Sequence, residues 1–569
     1  MKRTLIALSA AILTFICYSS LAQDRTTSAS EDYLRKAYEA IDENDYDKTY
    51  DYVSKQLSLT PDNVEALILR VKLCILKKEF RQALVDINRA IKVNKPKLSE
   101  IPNSTLHYWK ASVYRFMSDD VKAQECLRSA YELSKKDNPD EVHPLGFEYA
   151  QSLYEAERLN ESDAIYRELL KFDGTDVASM VGLSRSLLRR GKYKEALRQL
   201  QDALRIEQNY DETYRFLMHT YDNLGQKNKA IDAAIDYIER AEEPNFDSIL
   251  ETFLKSTNYA VANLRSHIRK SDKPVLFRII LGDVLQLSSR HEEALKEYIT
   301  LENEHGTDTV IYHEKGLCYK NLGMLEYAIQ ELTLAIETGG MDYDTYCERG
   351  ACYRLLGNFT KAISDFTAAI EAEPTESYPY YQRGWCHELS GNLRKALEDY
   401  NLGIELNPDY PYLYVQRGLL LKKMGNQDKA RKDFEAVLQK DTVATDGSCT
   451  QFALAELGRE AEAIAWMKKI IAENTSDFSN LYDAACLYAR LGRSEEALDA
   501  LKRAFENGYR NFAHVGYDPD LDSIRELPSF KELVSKHKAL HEQRIRSGEI
   551  PVPGNTATAG AKDVIYLKS

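Results

Sequence analysis

The chain has 569 residues, 44% hydrophobic and 29% charged, with only 26 glycines and 15 prolines, a balance that fits a folded protein rather than a low-complexity one. Its formal net charge of −14 disfavours nucleic acid or an anionic membrane surface as a partner. A length that would ordinarily be shared among several domains is read here through an internal repeat, since stacked repeats have no single core to outgrow.

The first predicted element is an export signal over residues 1–22. Lys2 and Arg3 precede an apolar run from Leu5 to Ile16, and Ser20-Leu21-Ala22 sets small residues where a signal peptidase reads, which predicts cleavage before Gln23. Lipid attachment at Cys17 is disfavoured by the bulky Ile16 before it. Beyond Gln23 no segment approaches the ~20 apolar residues that span a membrane. The mature chain is therefore expected to be exported, to the periplasm first and otherwise to the medium or cell surface.

Residues 30–242 read as an N-terminal array of helix pairs, anchored by Thr49, Ala83, Ala123, Ser162, Ala196 and Ala230 on the second helix of each. The step widens to 40 and 39 residues around Ala123, which predicts longer connectors at Lys95–Asn103 and Lys135–Val142. Residues 243–274 read as a degenerate repeat anchored at Ala262, where Ser266 and Arg269 replace apolar residues. Residues 275–511 form a second array, with anchors at Ala294, Ala328, Ala362, Ala396, Ala430, Ala463 and Ala497. In its middle, Gly316, Gly350, Gly384 and Gly418 keep a step of 34 residues, as do Tyr312, Tyr346, Tyr380 and Tyr414, and Gly323, Gly357, Gly391 and Gly425. A fixed period in this range signals stacked helix–turn–helix units.

One full unit, counted from Tyr343, runs Tyr346-x-x-Arg349-Gly350-x-x-Tyr353, then Gly357, Ala362, Phe366, Ala369 and Pro374. The next repeats it with Tyr380, Gly384, Gly391, Ala396, Tyr400 and Pro408, departing at His387 and Gly403. Positions 4, 8 and 11 share a face of the first helix, and positions 20, 24 and 27 a face of the second. Small residues at 8 and 20 let the backbones approach, while the aromatic at 24 fills the space beside them. Glycine at 15 suits the left-handed residue that ends a helix, and proline at 32 stops the second helix.

This pattern resembles the tetratricopeptide repeat family, in its exported bacterial form. The resemblance implies an all-α, right-handed superhelix of about 14 helix pairs with a C-terminal cap and a flexible tail. It implies a non-catalytic scaffold of the bacterial cell envelope that binds protein or peptide segments along the concave groove. By family phase that groove is lined by His313, Leu317, Tyr378, Tyr381, Trp385, Tyr412, Val415 and Leu419, with Glu388, Lys422 and Lys423 at its edge. The clamp that grips chaperone tails in this family needs Lys at position 5 and Asn at position 9. Here those positions hold His313, Cys347, Tyr381 and Val415, and Leu317, Ala351, Trp385 and Leu419, so the clamp is missing. Arg185 and Arg189, at positions 9 and 13, offer either a dock for an acidic segment or a solvated basic face. Two other functions stay open: an assembly arm for a separately encoded envelope enzyme, and a structural homo-oligomer.

Residues 512–546, with Asp518-Pro519-Asp520-Leu521-Asp522 and Leu527-Pro528-Ser529-Phe530, read as a cap on the last repeat, and residues 547–569 as a disordered tail with a strand-prone end at Val564–Leu567. The aspartate triplet fails as a calcium loop, because Ser523 and Ser529 stand where Gly and Glu are needed. His537 and His541 share a helix face but lack a third ligand nearby. Of the eight cysteines after residue 22, Cys318, Cys352 and Cys386 hold one repeat position; equivalent helices lie ~8–10 Å apart, beyond the about 4.4–6.8 Å between Cα atoms that a disulfide bridges. These thiols are expected in the core. With no phosphate loop, GxSxG elbow, HExxH or dinucleotide fingerprint, neither enzyme activity nor a metal or cofactor is expected.

Overall fold

The computed structural model describes residues 29–95, 101–306, 308–339, 343–445 and 447–552, with side chains from residue 33 onward. The export signal, part of the Lys95–Asn103 connector and the tail from residue 553 lie outside the described residues. Within them all regular structure is helical: 31 α-helices and two short 3₁₀ turns. Consecutive helices pack in pairs, in the first unit from Ala29–Asp42 with Tyr46–Leu59 to Asp211–Asn223 with Lys227–Arg240, and in the second from Pro274–Leu287 with His291–His305 to Phe478–Arg490 with Ser494–Glu506.

The packing follows from side-chain size. Ala83, Ala196, Ala230, Ala328, Ala362 and Ala396 are fully buried where the two helices of a pair touch. A Cβ added to Gly384 would come within 2.7 Å of the Tyr400 ring, and one on Gly418 within 2.6 Å of Phe434. The glycine at position 8 is thus imposed by the aromatic at position 24 of its own pair. Between the helices, Gly323, Gly357, Gly391 and Gly425 take left-handed backbone, with φ from +70° to +84°. Lys78, Ser118, Glu157 and Ser289 hold the same place in other pairs with φ near +60°.

Contacts divide the chain into two compact units, residues 1–252 and 253–569. The division falls inside the degenerate pair. There the anchor is Ala260, which is fully buried, and not Ala262, which is exposed. The first helix of this pair, Phe246–Leu254, has only nine residues where its neighbours have 13 or 14, so the phase slips by two. Leu264 then fills the position 24 slot, and His267 lies against Phe277. The long step after Ala123 is absorbed by an 18-residue second helix, Asp120–Asp137, and the turn Pro139–Glu141.

In the first unit the core runs from Ala37 and Val53 through Leu106, with a second cluster around Tyr131, Tyr149 and Tyr166. In the second unit one cluster extends from Tyr414 to Phe530 and joins the repeats to the residues that follow them. That C-terminal segment does more than close the last pair. Its Arg510 packs against Gly323, where a Cβ would fall 2.4 Å away, and Arg544 grips Glu292 through two contacts of 2.8 and 2.9 Å. The end of the chain therefore returns to the early pairs of its own array.

Candidate binding face

The first helices of successive pairs lie side by side in the second unit. On that face Tyr381 sits among Trp385 (ring centroids 6.2 Å), Tyr410 (5.7 Å) and Tyr412 (6.2 Å). Tyr381 and Val415 are buried; Trp385, Tyr412, Leu419, Leu317 and His313 are half-buried; Tyr378, at 37%, is exposed. His313 is turned toward its neighbour, with Nδ1 2.9 Å from the Thr345 hydroxyl. The face is thus no open apolar strip. Mutual aromatic stacking takes up Tyr381, and the returning C-terminal segment covers Trp385, whose ring meets His514 edge-on at 6.1 Å. The charges at its edge pair along the array, Lys422 with Glu456 at 2.7 Å and Lys423 with Glu388 at 3.8 Å.

At the centre of this face stands Arg354, which family phase places at position 12. Its guanidinium lies 4.2 Å from the Trp385 ring centroid, a cation–π contact, and only 8% of the residue is exposed. Nε and Nη1 are sealed from solvent and have no hydrogen-bond partner. No carboxylate among the described residues pairs with it. Tyr517 of the C-terminal segment donates its hydroxyl to the Arg354 carbonyl oxygen and packs edge-on against Phe359 at 5.6 Å.

The repeat signature of this face has counterparts elsewhere. Sequence profiles described as tetratricopeptide repeat match residues 343–376 and 377–410, and again 411–439 and 478–507. The chain contains tetratricopeptide repeats. Among curated proteins it is similar to a chloroplastic protein of Arabidopsis thaliana, 34% identical over 55 residues; these make up 10% of this chain and only 16% of that protein. Similar solved structures include a MamA protein (21% identity, TM-score 0.28, 30% of this chain and 92% of that one) and MamA from Desulfovibrio magneticus RS-1 (17%, 0.28, 30% and 95%). The APC/C hetero-tetramer Cut9–Hcn1 is similar at 14% identity and TM-score 0.31, over 85% of this chain and 98% of that one. Tetratricopeptide repeats are generally non-catalytic and present extended surfaces to protein partners.

Next to the tetratricopeptide face lies a buried polar cluster. Tyr482 and Tyr509 stack at 4.2 Å, and Tyr482 donates to Asp518 at 2.6 Å. His514 Nδ1 stands 3.1 Å from the Tyr509 hydroxyl. Burial pushes the His514 imidazole down to about 4. Burial, with Asp520 and Asp518 nearby, pushes the Asp483 carboxyl up to about 7, and burial pushes Asp520 up to about 6 against the pull of Arg490. Tyr482, Tyr509, His514 and Asp518 are fixed by one another, and the aspartate triplet is spent on structure. Asp518 caps the next turn by accepting from the Asp520 N–H, Asp520 pairs with Arg490 at 3.4 Å, and Asp522 pairs with Arg525.

The remaining sequence candidates are also accounted for. His541 is buried against Phe512, and His537 lies over Phe505. No group of three or more metal-ligating side chains occurs among the described residues. All eight cysteines after residue 22 are buried. Arg185 stacks on Tyr154 at 4.1 Å, and Arg189 pairs with Glu157. No helix among the described residues is long and apolar enough to cross a membrane.

Sequence reasoning missed two features. Arg349, Arg383 and Arg417, at position 7, each reach an aspartate 16 residues on: Asp365, Asp399 and Asp433. The signal was present as a charged residue in the middle of an apolar stripe. Arg354 was missed because position 12 was read in other units and not in its own.

Proposed function

We propose that this protein is a non-catalytic interaction scaffold exported to the bacterial cell envelope, whose second array holds an extended protein segment bearing an acidic side chain. The observation that carries this reading is Arg354. A charge taken out of water without a counter-ion costs several kcal/mol even after relaxation, and a desolvated cation–π contact returns about 2 kcal/mol of that. A carboxylate from a bound segment supplies the missing charge-assisted hydrogen bonds. Exposed Tyr378 gives that segment an entry point, and Trp385 an aromatic wall. Aromatic and arginine side chains are the usual anchors of protein interfaces.

The test is a photo-crosslinking amino acid placed at Tyr378 in the living bacterium. A discrete crosslinked species from Tyr378, absent when the same probe sits at the exposed Glu398 on a second helix, supports the reading. Equal labelling from both positions, or none from Tyr378, overturns it.

A further inference from the structure

Away from Arg354, where the end of the chain returns to the array, lies a recess of about 660 Å³. Its walls come from four stretches far apart in sequence: residues 287–293, Asn321 with Leu322, Asn474 with residues 476–478, and the C-terminal segment with Arg510, His541 and Arg544. The charged groups facing it are Arg290, Arg510 and Arg544, opposed by Glu292, Glu293 and Asp477, with His291 and His541 between them.

Most of these satisfy one another. Arg290 holds both Glu293 oxygens at 2.8 Å, and Arg544 holds Glu292 and, at 3.0 Å, Glu549. Asp477 accepts from the Asn480 N–H at 2.8 Å. Three groups are left over. Arg510 makes no ion pair among the described residues and gives Nη1 to the carbonyls of Phe505 and Tyr509. His541 is only 7% exposed; the Leu322 carbonyl is within reach of its ring, which otherwise has no hydrogen-bond partner. The Nδ1 of His291 is likewise buried and unpartnered.

The electrostatics agree with this geometry. Burial and the neighbouring Arg544 lower the Arg510 guanidinium, and burial with Arg510 and Arg544 pushes His541 down to about 4. Burial and Lys320 lower His291. One end of the recess therefore carries uncompensated positive potential and unfilled hydrogen-bonding sites. A second recess of about 360 Å³ also reaches Arg510, His541 and Arg544.

We infer that this recess binds a small anion, a phosphate or carboxylate group, at Arg510, His541 and His291, and that the bound anion fastens the last helix to the array. An anion there offsets the Arg510 guanidinium, which the neighbouring Arg544 otherwise repels, and it accepts an imidazole N–H. Its binding stabilises only the docked form, by mass action.

The experiment uses the full chain with sodium phosphate and with sodium citrate, at ionic strength held constant with NaCl, read by titration calorimetry and thermal melting. Saturable binding with a rise in melting temperature is expected, and the tighter of the two probes identifies the source of the anion. Arg510→Gln keeps the Cβ that packs on Gly323 and is expected to weaken binding about tenfold. Should that variant not fold, NMR of the unmodified protein decides: a bound anion raises the titration midpoint of His541. No saturable heat with either probe, equal binding by Arg510→Gln, or an unmoved His541 midpoint overturns the proposal.

Discussion

Arg383 and Asp399, 16 residues apart on the two helices of one pair, are joined by two N–H···O bonds of 3.0 and 2.7 Å. The same bidentate pairing links Arg349 to Asp365, Arg417 to Asp433 and, in the first unit, Arg70 to Asp86. In the pair before Arg349, Lys315 reaches Glu331 at 3.0 Å over the same step. Arg349 and Arg383 also donate to Thr333 and Thr367 of the preceding pair, at 3.1 Å, so the ladder ties neighbours as well as partners.

Removing one side leaves a buried charge. Arg383→Met is expected to cost about 3 kcal/mol, because the Asp399 carboxylate stays sealed without its counter-ion. Arg383→Met combined with Asp399→Leu is expected to cost less than Arg383→Met alone. Hydrogen exchange of Tyr378–Leu389 and Leu393–Leu406 reads this locally, since long arrays need not unfold as one unit. A double variant less protected than the single would contradict the account.

Docking of the C-terminal segment depends on Gly323. A Cβ there meets the Arg510 Cβ at 2.4 Å and its carbonyl oxygen at 2.6 Å, on backbone with φ +70°. Gly323→Ala is expected to loosen residues 510–546 while leaving the repeats folded. Limited proteolysis checks this: faster cleavage confined to the C-terminal segment is expected, and a wild-type pattern argues that the contact is dispensable.

Asp483 sets a pH dependence with a definite sign. Its carboxyl is raised from 3.8 to about 7 in the folded state, so folding tightens its hold on a proton. That contribution favours folding as pH falls from about 7 toward 4, and the ionised form opposes folding above pH 7. His514, lowered from 6.5 to about 4, acts in the opposite sense, losing stability as pH falls through that window. Asp483→Asn isolates the first effect. Its melting temperature is expected to exceed wild type at pH 8 and to match it near pH 4; a variant less stable at pH 8 would show that the carboxylate is needed ionised.

The paired-helix fold was legible in the sequence because its contacts are local and periodic. Gly384 and Tyr400 announce their contact by spacing alone, and so do the left-handed glycines. The degenerate pair was misphased by two residues because a shortened helix leaves no mark in the alanine pattern, and only burial separates Ala260 from Ala262. The cover over Trp385 was not legible at all. It depends on residues 509–517 meeting Arg354 and Trp385 more than a hundred positions earlier, a relationship with no period to betray it. Phase places these residues on the first helices but could not tell Tyr381, buried, from Tyr378, exposed.

The measurement that bears most directly on the account is crosslinked partner capture from Tyr378 in Arg354→Met, set beside the melting temperature of the same variant. Methionine keeps an apolar stem against Trp385 and removes a sealed, unpaired charge. The account predicts a melting temperature at or above wild type together with loss of capture, as expected where a destabilising side chain is retained for recognition. Undiminished capture, or a protein that melts below wild type, would contradict the claim that Arg354 is held for a partner.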